Sequence, residues 1–224
     1  MNPIQEHYLA LSLEQALPVS HRKYLEKLKS NGFEPKVIYD IGSCVRHWEN
    51  VAKELWPNAL IIMFDANFNC EFLYKGSEYW IGVLSSVSGS RIKFYLNEYS
   101  PGGASYYREI GDKNSSLLYR DDSFIWMQTM RLDDVVELKS FPPPDLVKID
   151  VQGSEYDILQ GGIMTISKCK HLIMELPKEG VKYNLNAPDA RETDQLARYM
   201  GFKCDAPLFS DNGLYDGDWG YIKN

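Results

Sequence analysis

Short apolar runs and helix-spaced stripes alternate along this chain, and the alternation predicts most of its elements. The run VIYDIG (37–42) is apolar and closed by a glycine, which reads as a buried strand meeting a turn. From Val45 the apolar positions switch to helical spacing through Trp48, Val51, Ala52, Leu55 and Trp56, and Pro57 stops the helix. A second apolar run, Ala59–Phe64, ends on Asp65. Strand, helix and strand within about 30 residues make a βαβ unit. Both of its acids, Asp40 and Asp65, fall where a strand stops. Such sheets bind small polar ligands at the carboxyl ends of their strands.

The flanking segments extend the pattern. Residues 1–35 predict a helix that starts near Pro18-Val19-Ser20, carries Tyr24, Leu25 and Leu28, and stops at Asn31-Gly32. After Asp65 come a short helix over Asn67–Tyr74 and a third strand over Glu78–Ser86. A turn at Ser88-Gly89-Ser90 leads to Arg91–Leu96, expected to pair back on that strand as a hairpin. Residues 97–123 are rich in Gly, Ser, Asn and Tyr, a long connection of the kind that is more often functional or mobile than ordinary. Two readings stand for its tyrosines, lining a substrate site or packing. Phe124–Leu132 is a further strand leading to Asp133-Asp134. Asp145–Asp150 is a strand that again ends on an acid, and Ser154 is placed to cap a helix over Glu155–Leu159. His171–Glu175 is a strand stopped by Pro177, Ala190–Met200 a helix ended by Gly201, and Phe202–Pro207 with Trp219–Lys223 an antiparallel hairpin.

Strands alternating with helices specify an α/β fold with a doubly wound, mainly parallel sheet. The 224 residues with 44% hydrophobic content suit one domain better than two. We divide it into an N-terminal helical extension (1–35), a core (36–177) and a C-terminal helix and hairpin (178–224). A net charge of −7 without a Lys/Arg cluster disfavours a nucleic-acid partner. No apolar run is long enough to cross a bilayer and the N-terminus lacks a signal-peptide pattern, so a cytoplasmic location away from membranes is expected. The four cysteines form no C-x-x-C pair and read as reduced, buried thiols.

The acids at the strand ends suggest a ligand. A pyrophosphate needs several glycines in the first turn, but Gly42 stands alone and Asp40 would oppose a second negative charge. S-adenosylmethionine fits better. Asp65 can accept from its ribose diol, the helix start near Ser43–Val45 can meet its carboxylate, and Asp40 can hold its ammonium. Asp150 and Glu155 flank one glycine turn and are the candidate bases, their proximity raising the pKa of one of them. For Glu155 a helix-terminal carboxylate is the equal alternative. Glu175 is placed to orient an acceptor. Tyr99, Tyr106 and Tyr107, with Gly102-Gly103 as hinges, are placed to form a lid over the substrate. His47 and His171 read as structural. Asp150, Glu155 and Glu175 lack a metal-site spacing, so no metal is expected.

The motifs VIYDIGS (37–43), FDAN (64–67), IGVLSS (81–86), MRLDDVV (130–136), DLVKIDVQGSEYDILQGG (145–162) and HLIMELP (171–177) together resemble the FkbM family of S-adenosylmethionine-dependent methyltransferases. The resemblance implies a Rossmann-like, seven-stranded methyltransferase sheet and O-methylation of a hydroxyl on a sugar, glycan or small natural product. It also places Ala66, Asn67 and Asp150 beside Asp40, Gly42, Ser43 and Asp65 at the cofactor. Two residues depart from the family pattern: Arg46 stands where a second glycine is common, and Gln152 where Glu is common. The rival functions are a nicotinamide-dependent oxidoreductase and a non-catalytic nucleoside-binding module.

Overall fold

A computed structural model describes residues 1–111, 117–213 and 215–223 of the chain. Strands β1 (Val37–Ile41), β2 (Leu60–Asp65) and β3 (Glu78–Ile81) flank helix α3 (His47–Leu55), which follows α1 (Pro3–Glu14) and α2 (Val19–Ser30). Next come β4 (Val83–Leu84), β5 (Arg91–Phe94), β6 (Ile125–Met130), α4 (Leu132–Lys139), β7 (Leu146–Ile149), α5 (Glu155–Gly161) and α6 (Ile163–Ile166). The chain closes with β8 (His171–Pro177), α7 (Ala190–Tyr199), β9 (Lys203–Asp211) and β10 (Asp216–Ile222).

Seven strands form the main sheet in the order β3-β2-β1-β7-β8-β10-β9. Its first five strands are parallel, and β10 runs antiparallel between β8 and β9. This is the Rossmann-like methyltransferase arrangement. Side-chain alternation loads both faces. Tyr39, Ile41, Val147 and Ile149 point to the face covered by α4, α5 and α7 through Val135, Ile158 and Ala197. Ile38, Met63, Leu146 and Ile173 point to the other face, where α1, α2 and α3 bring Tyr8, Leu25 and Trp48. Each fully buried large side chain is worth roughly 1.5–3 kcal/mol, so the two clusters hold the helices to the sheet. Among the described residues no helix is long and apolar enough to cross a membrane.

Several expectations need correction. Residues 1–35 form two helices, not one: Asn2 and Gln5 build a capping box with Pro3 in the first turn. Leu9 and Leu13 interrupt the apolar stripe Ile4, Tyr8, Leu11 and hid that helix. The third strand breaks at Gly82. Its partner β2 ends at Asp65, whose carbonyl takes the last bond from Gly82 N–H at 2.9 Å. Val83–Leu84 then joins β6 in a separate three-stranded sheet ordered β4-β6-β5. Arg91–Phe94 consequently pairs with β6 rather than with 78–86, and Thr129 fastens the intervening turn through Val87 O and Ser90 N. Helix α4 follows Arg131 where no helix was expected. Ser154 does not cap α5 with its side chain, since its hydroxyl donates to the Val151 carbonyl. The hairpin strands are longer than expected, at 203–211 and 216–222. Positions 112–116 of the long connection, Leu214 in the hairpin turn and Asn224 lie outside the described residues.

Candidate active site

The strand order reverses between β1 and β7, and the turns after these two strands meet there. Asp150 N–H donates to the Ile41 carbonyl at 3.0 Å. Gly42 has φ +81°, and a Cβ on it would land on the Asp150 carbonyl oxygen. Only glycine lets the two turns come this close. Over them lies a cavity of about 520 Å³, whose walls include Gly42, Asp65, Ala66, Asp150, Glu175 and Tyr106.

Asp65 ends β2 at the cavity wall. Its Oδ2 accepts from Cys44 N–H at 2.6 Å and its Oδ1 from Asn67 N–H at 2.7 Å. Loss of water raises this carboxyl to about 6, against the lowering effect of those two amides. Three other expected cofactor residues lie behind the wall. Asp40 is fully buried and its nearest cation is Lys148, with Nζ 3.4 Å from Oδ1. The Ser43 hydroxyl donates to the Asp40 carbonyl at 2.7 Å. Asn67 caps the following 3₁₀ turn by accepting from Asn69 N–H, and its amide donates to Tyr8 OH at 3.2 Å.

Asp150 and Glu175 form a carboxyl pair that faces the cavity. Lys148 Nζ lies 3.3 Å from Asp150 Oδ2. Burial opposes ionisation of Asp150, yet Lys148, a hydrogen bond from Glu175 and His47 together hold it below the usual aspartate range. Burial and the Asp150 charge push Glu175 well above the usual glutamate range, so the pair keeps its proton on Glu175. Gln152 Nε2 and Asn212 Nδ2 donate to the two Glu175 oxygens at 2.7 and 2.8 Å. Glu155 is elsewhere: it accepts from Val151 N–H and Gly153 N–H and lines a smaller neighbouring cavity of about 160 Å³. Burial raises it to about 7.

The hydroxyls of Tyr106 and Tyr107 both donate to Asp157 Oδ2 on α5 at 2.8 Å, and the Tyr106 ring lines the cavity. Tyr99 is exposed, and Gly103 is packed against Glu109 and Tyr119 rather than free as a hinge. Among the described residues no group of three His, Cys, Asp or Glu side chains is arranged to hold a metal ion.

Residues 17–204 match the family described as the Methyltransferase FkbM domain. The chain belongs to the FkbM methyltransferase family. No curated protein sequence matches it. Among solved structures it is similar to cofactor-bound Rv0187 from MTB at 13% identity and TM-score 0.53, covering 100% of this chain and 92% of that one. It is also similar to TomG from Streptomyces achromogenes, an O-methyltransferase involved in tomaymycin synthesis and solved in complex with SAM. That match has 11% identity and TM-score 0.50, and covers 100% of this chain and 91% of that one. At these identities the likeness is one of fold.

Both departures from the FkbM pattern keep the backbone that a glycine would favour or add a contact. Arg46 has φ +69° and turns its guanidinium to Glu49 and the Leu73 carbonyl. Gln152 has φ +57° and reaches Glu175. Sequence reasoning missed Lys148, His21, Asp216 and Asp218, and read His47 as structural. A lysine inside the apolar run LVKI was a usable signal, because a buried ammonium needs anionic partners. His21 gave none. Its Nε2 accepts from Trp48 Nε1–H at 2.9 Å, so its proton sits on Nδ1, 2.9 Å from Asp218 Oδ2 and 197 residues away in sequence. His47 lines the cavity with Nδ1 unpartnered, and burial followed by the Lys148 charge lowers its pKa, favouring the neutral ring.

Proposed function

We propose that the chain transfers a methyl group from S-adenosylmethionine to a hydroxyl oxygen of a sugar, glycan or small natural product. The observation that carries this reading is the cavity at the β1/β7 reversal, with Asp65 on one side and the Asp150–Glu175 pair on the other. The residues present fit the donor. Asp65 keeps lone pairs beyond its two amide bonds for a ribose diol, Val83 and Leu84 offer apolar wall to a base, and neutral His47 faces the amino-acid end. With Asp40 paired to Lys148, the ammonium partner assigned to it passes to the Gly42 turn and Asp150. The bound donor supplies a methyl group already activated by the sulfonium charge.

The chain's own work is alignment and proton handling. Asp150, ionised beside protonated Glu175, takes the acceptor's hydroxyl proton. The described residues that line the cavity include Glu109, Glu175, Asp216 and Asp218 but no lysine or arginine. This lining favours a neutral, hydrogen-bond-donating acceptor over a phosphorylated one. Calorimetry with S-adenosylhomocysteine, followed by a turnover screen of glycans and small alcohols, tests the proposal. Absence of S-adenosylhomocysteine binding, or its replacement by NADH binding, would overturn it.

A further inference from the structure

Lys148 is 2% exposed in the centre of the sheet, directly opposite Asp40 in the β1/β7 register. Its Nζ donates to the Gly42 carbonyl at 3.0 Å and lies 3.4 Å from Asp40 Oδ1 and 3.3 Å from Asp150 Oδ2. One hydrogen-bonded carbonyl and two ion-paired carboxylates thus surround the ammonium. Asp40 in turn has no hydrogen-bond partner on either carboxylate oxygen, so its charge is left to Lys148. We propose that Lys148 is the positioning residue of this site, tying the Gly42 turn to the Asp150 turn and holding Asp150 as a carboxylate facing the cavity. The lock stands on these contacts. That Asp150 receives an acceptor proton rests on the methyl-transfer reading.

The charges agree with the geometry. Burial alone would lower the Lys148 ammonium, but the Asp150 and Asp40 charges outweigh it. The other groups facing Asp150 are His47 from α3, Glu175 from β8, Asp216 from β10 and Glu155 from α5. Apart from the neutral-leaning His47 they are acids, so the fixed positive charge comes from Lys148. Replacing it therefore moves the shared proton from Glu175 toward Asp150.

The test is a carbon-13 carboxyl titration by NMR on the full chain, alongside S-adenosylhomocysteine calorimetry. The Lys148→Met/Asp40→Asn variant removes both buried charges together and leaves neither ion unpaired. Its Asp150 midpoint is expected to rise by about one pH unit or more, whereas Lys148→Arg keeps it near the unsubstituted value. An unmoved midpoint in the folded double variant would overturn the lock. Should the double variant not fold, Asp40→Asn reads the lock from the other side: Lys148, no longer shared, lowers the Asp150 midpoint further, and an unchanged midpoint counts against the proposal. Failure of the unsubstituted chain to bind S-adenosylhomocysteine overturns the methyl-transfer reading and leaves the lock to the titration. Binding with an unmoved midpoint overturns the lock alone.

Discussion

The Asp65 carboxylate receives the backbone N–H of Cys44 at 2.6 Å, a bond that joins the end of β2 to the turn after β1. The same carboxylate orders its own next turn through Asn67 N–H. Asp65 thereby shapes two walls of the cavity while presenting charge to its interior.

Asp65→Ala is expected to weaken S-adenosylhomocysteine binding by roughly 10- to 100-fold, the loss of ~1.5–3 kcal/mol carried by hydrogen bonds to a charged group. Isothermal calorimetry measures it. Unchanged affinity in a folded variant would remove Asp65 from the donor site.

Gly42→Ala is expected to destabilise the fold by more than about 3 kcal/mol, because the new Cβ meets backbone and not a movable side chain. Urea unfolding gives the value. A shift under about 1 kcal/mol would show that the β1 and β7 turns can part without cost.

Tyr106 and Tyr107 share one anchor, Asp157 Oδ2. Either single Phe variant leaves the other bond in place and costs about 1 kcal/mol. The double Phe variant frees the 97–111 segment, and limited proteolysis should cut there several-fold faster. Equal cleavage rates in the double variant and the unsubstituted chain would mean the segment is held by other contacts, such as the Glu109–Asn184 bridge.

Glu155 gives a pH prediction. Buried, it holds its proton up to about 7, whereas in the unfolded chain it lets go near 4.5. The native state then binds more protons between these values. Its stabilising contribution is complete below the unfolded pKa and is lost as pH rises through the folded one, by about 3 kcal/mol at most. Glu155→Gln, which keeps an acceptor for Val151 N–H and Gly153 N–H, should flatten the melting temperature from pH 4.5 to 7 relative to the unsubstituted chain.

The main sheet and the acids at its strand ends were legible because their causes are local. VIYDIG, LIIMFD and LVKID carry strand runs that stop on carboxylates, and alternation alone tells which side chains share a face. The small sheet was not legible, since β3 stops where its partner β2 stops, a fact of the neighbouring strand and not of Glu78–Ser86.

The sequence by itself determined the strand runs of the main sheet, the glycine at the reversal and the family motifs, all of which depend on residues within a turn or two of each other. Only the tertiary structure decided which carboxylates face the cavity. Asp40 and Asp150 look alike as strand-end acids, but Asp40 lies within β1 opposite buried Lys148, whereas Asp150 follows the last residue of β7 and stands at the cavity beside Glu175. Burial and a neighbour's charge set ionisation, and both come from residues distant in the chain.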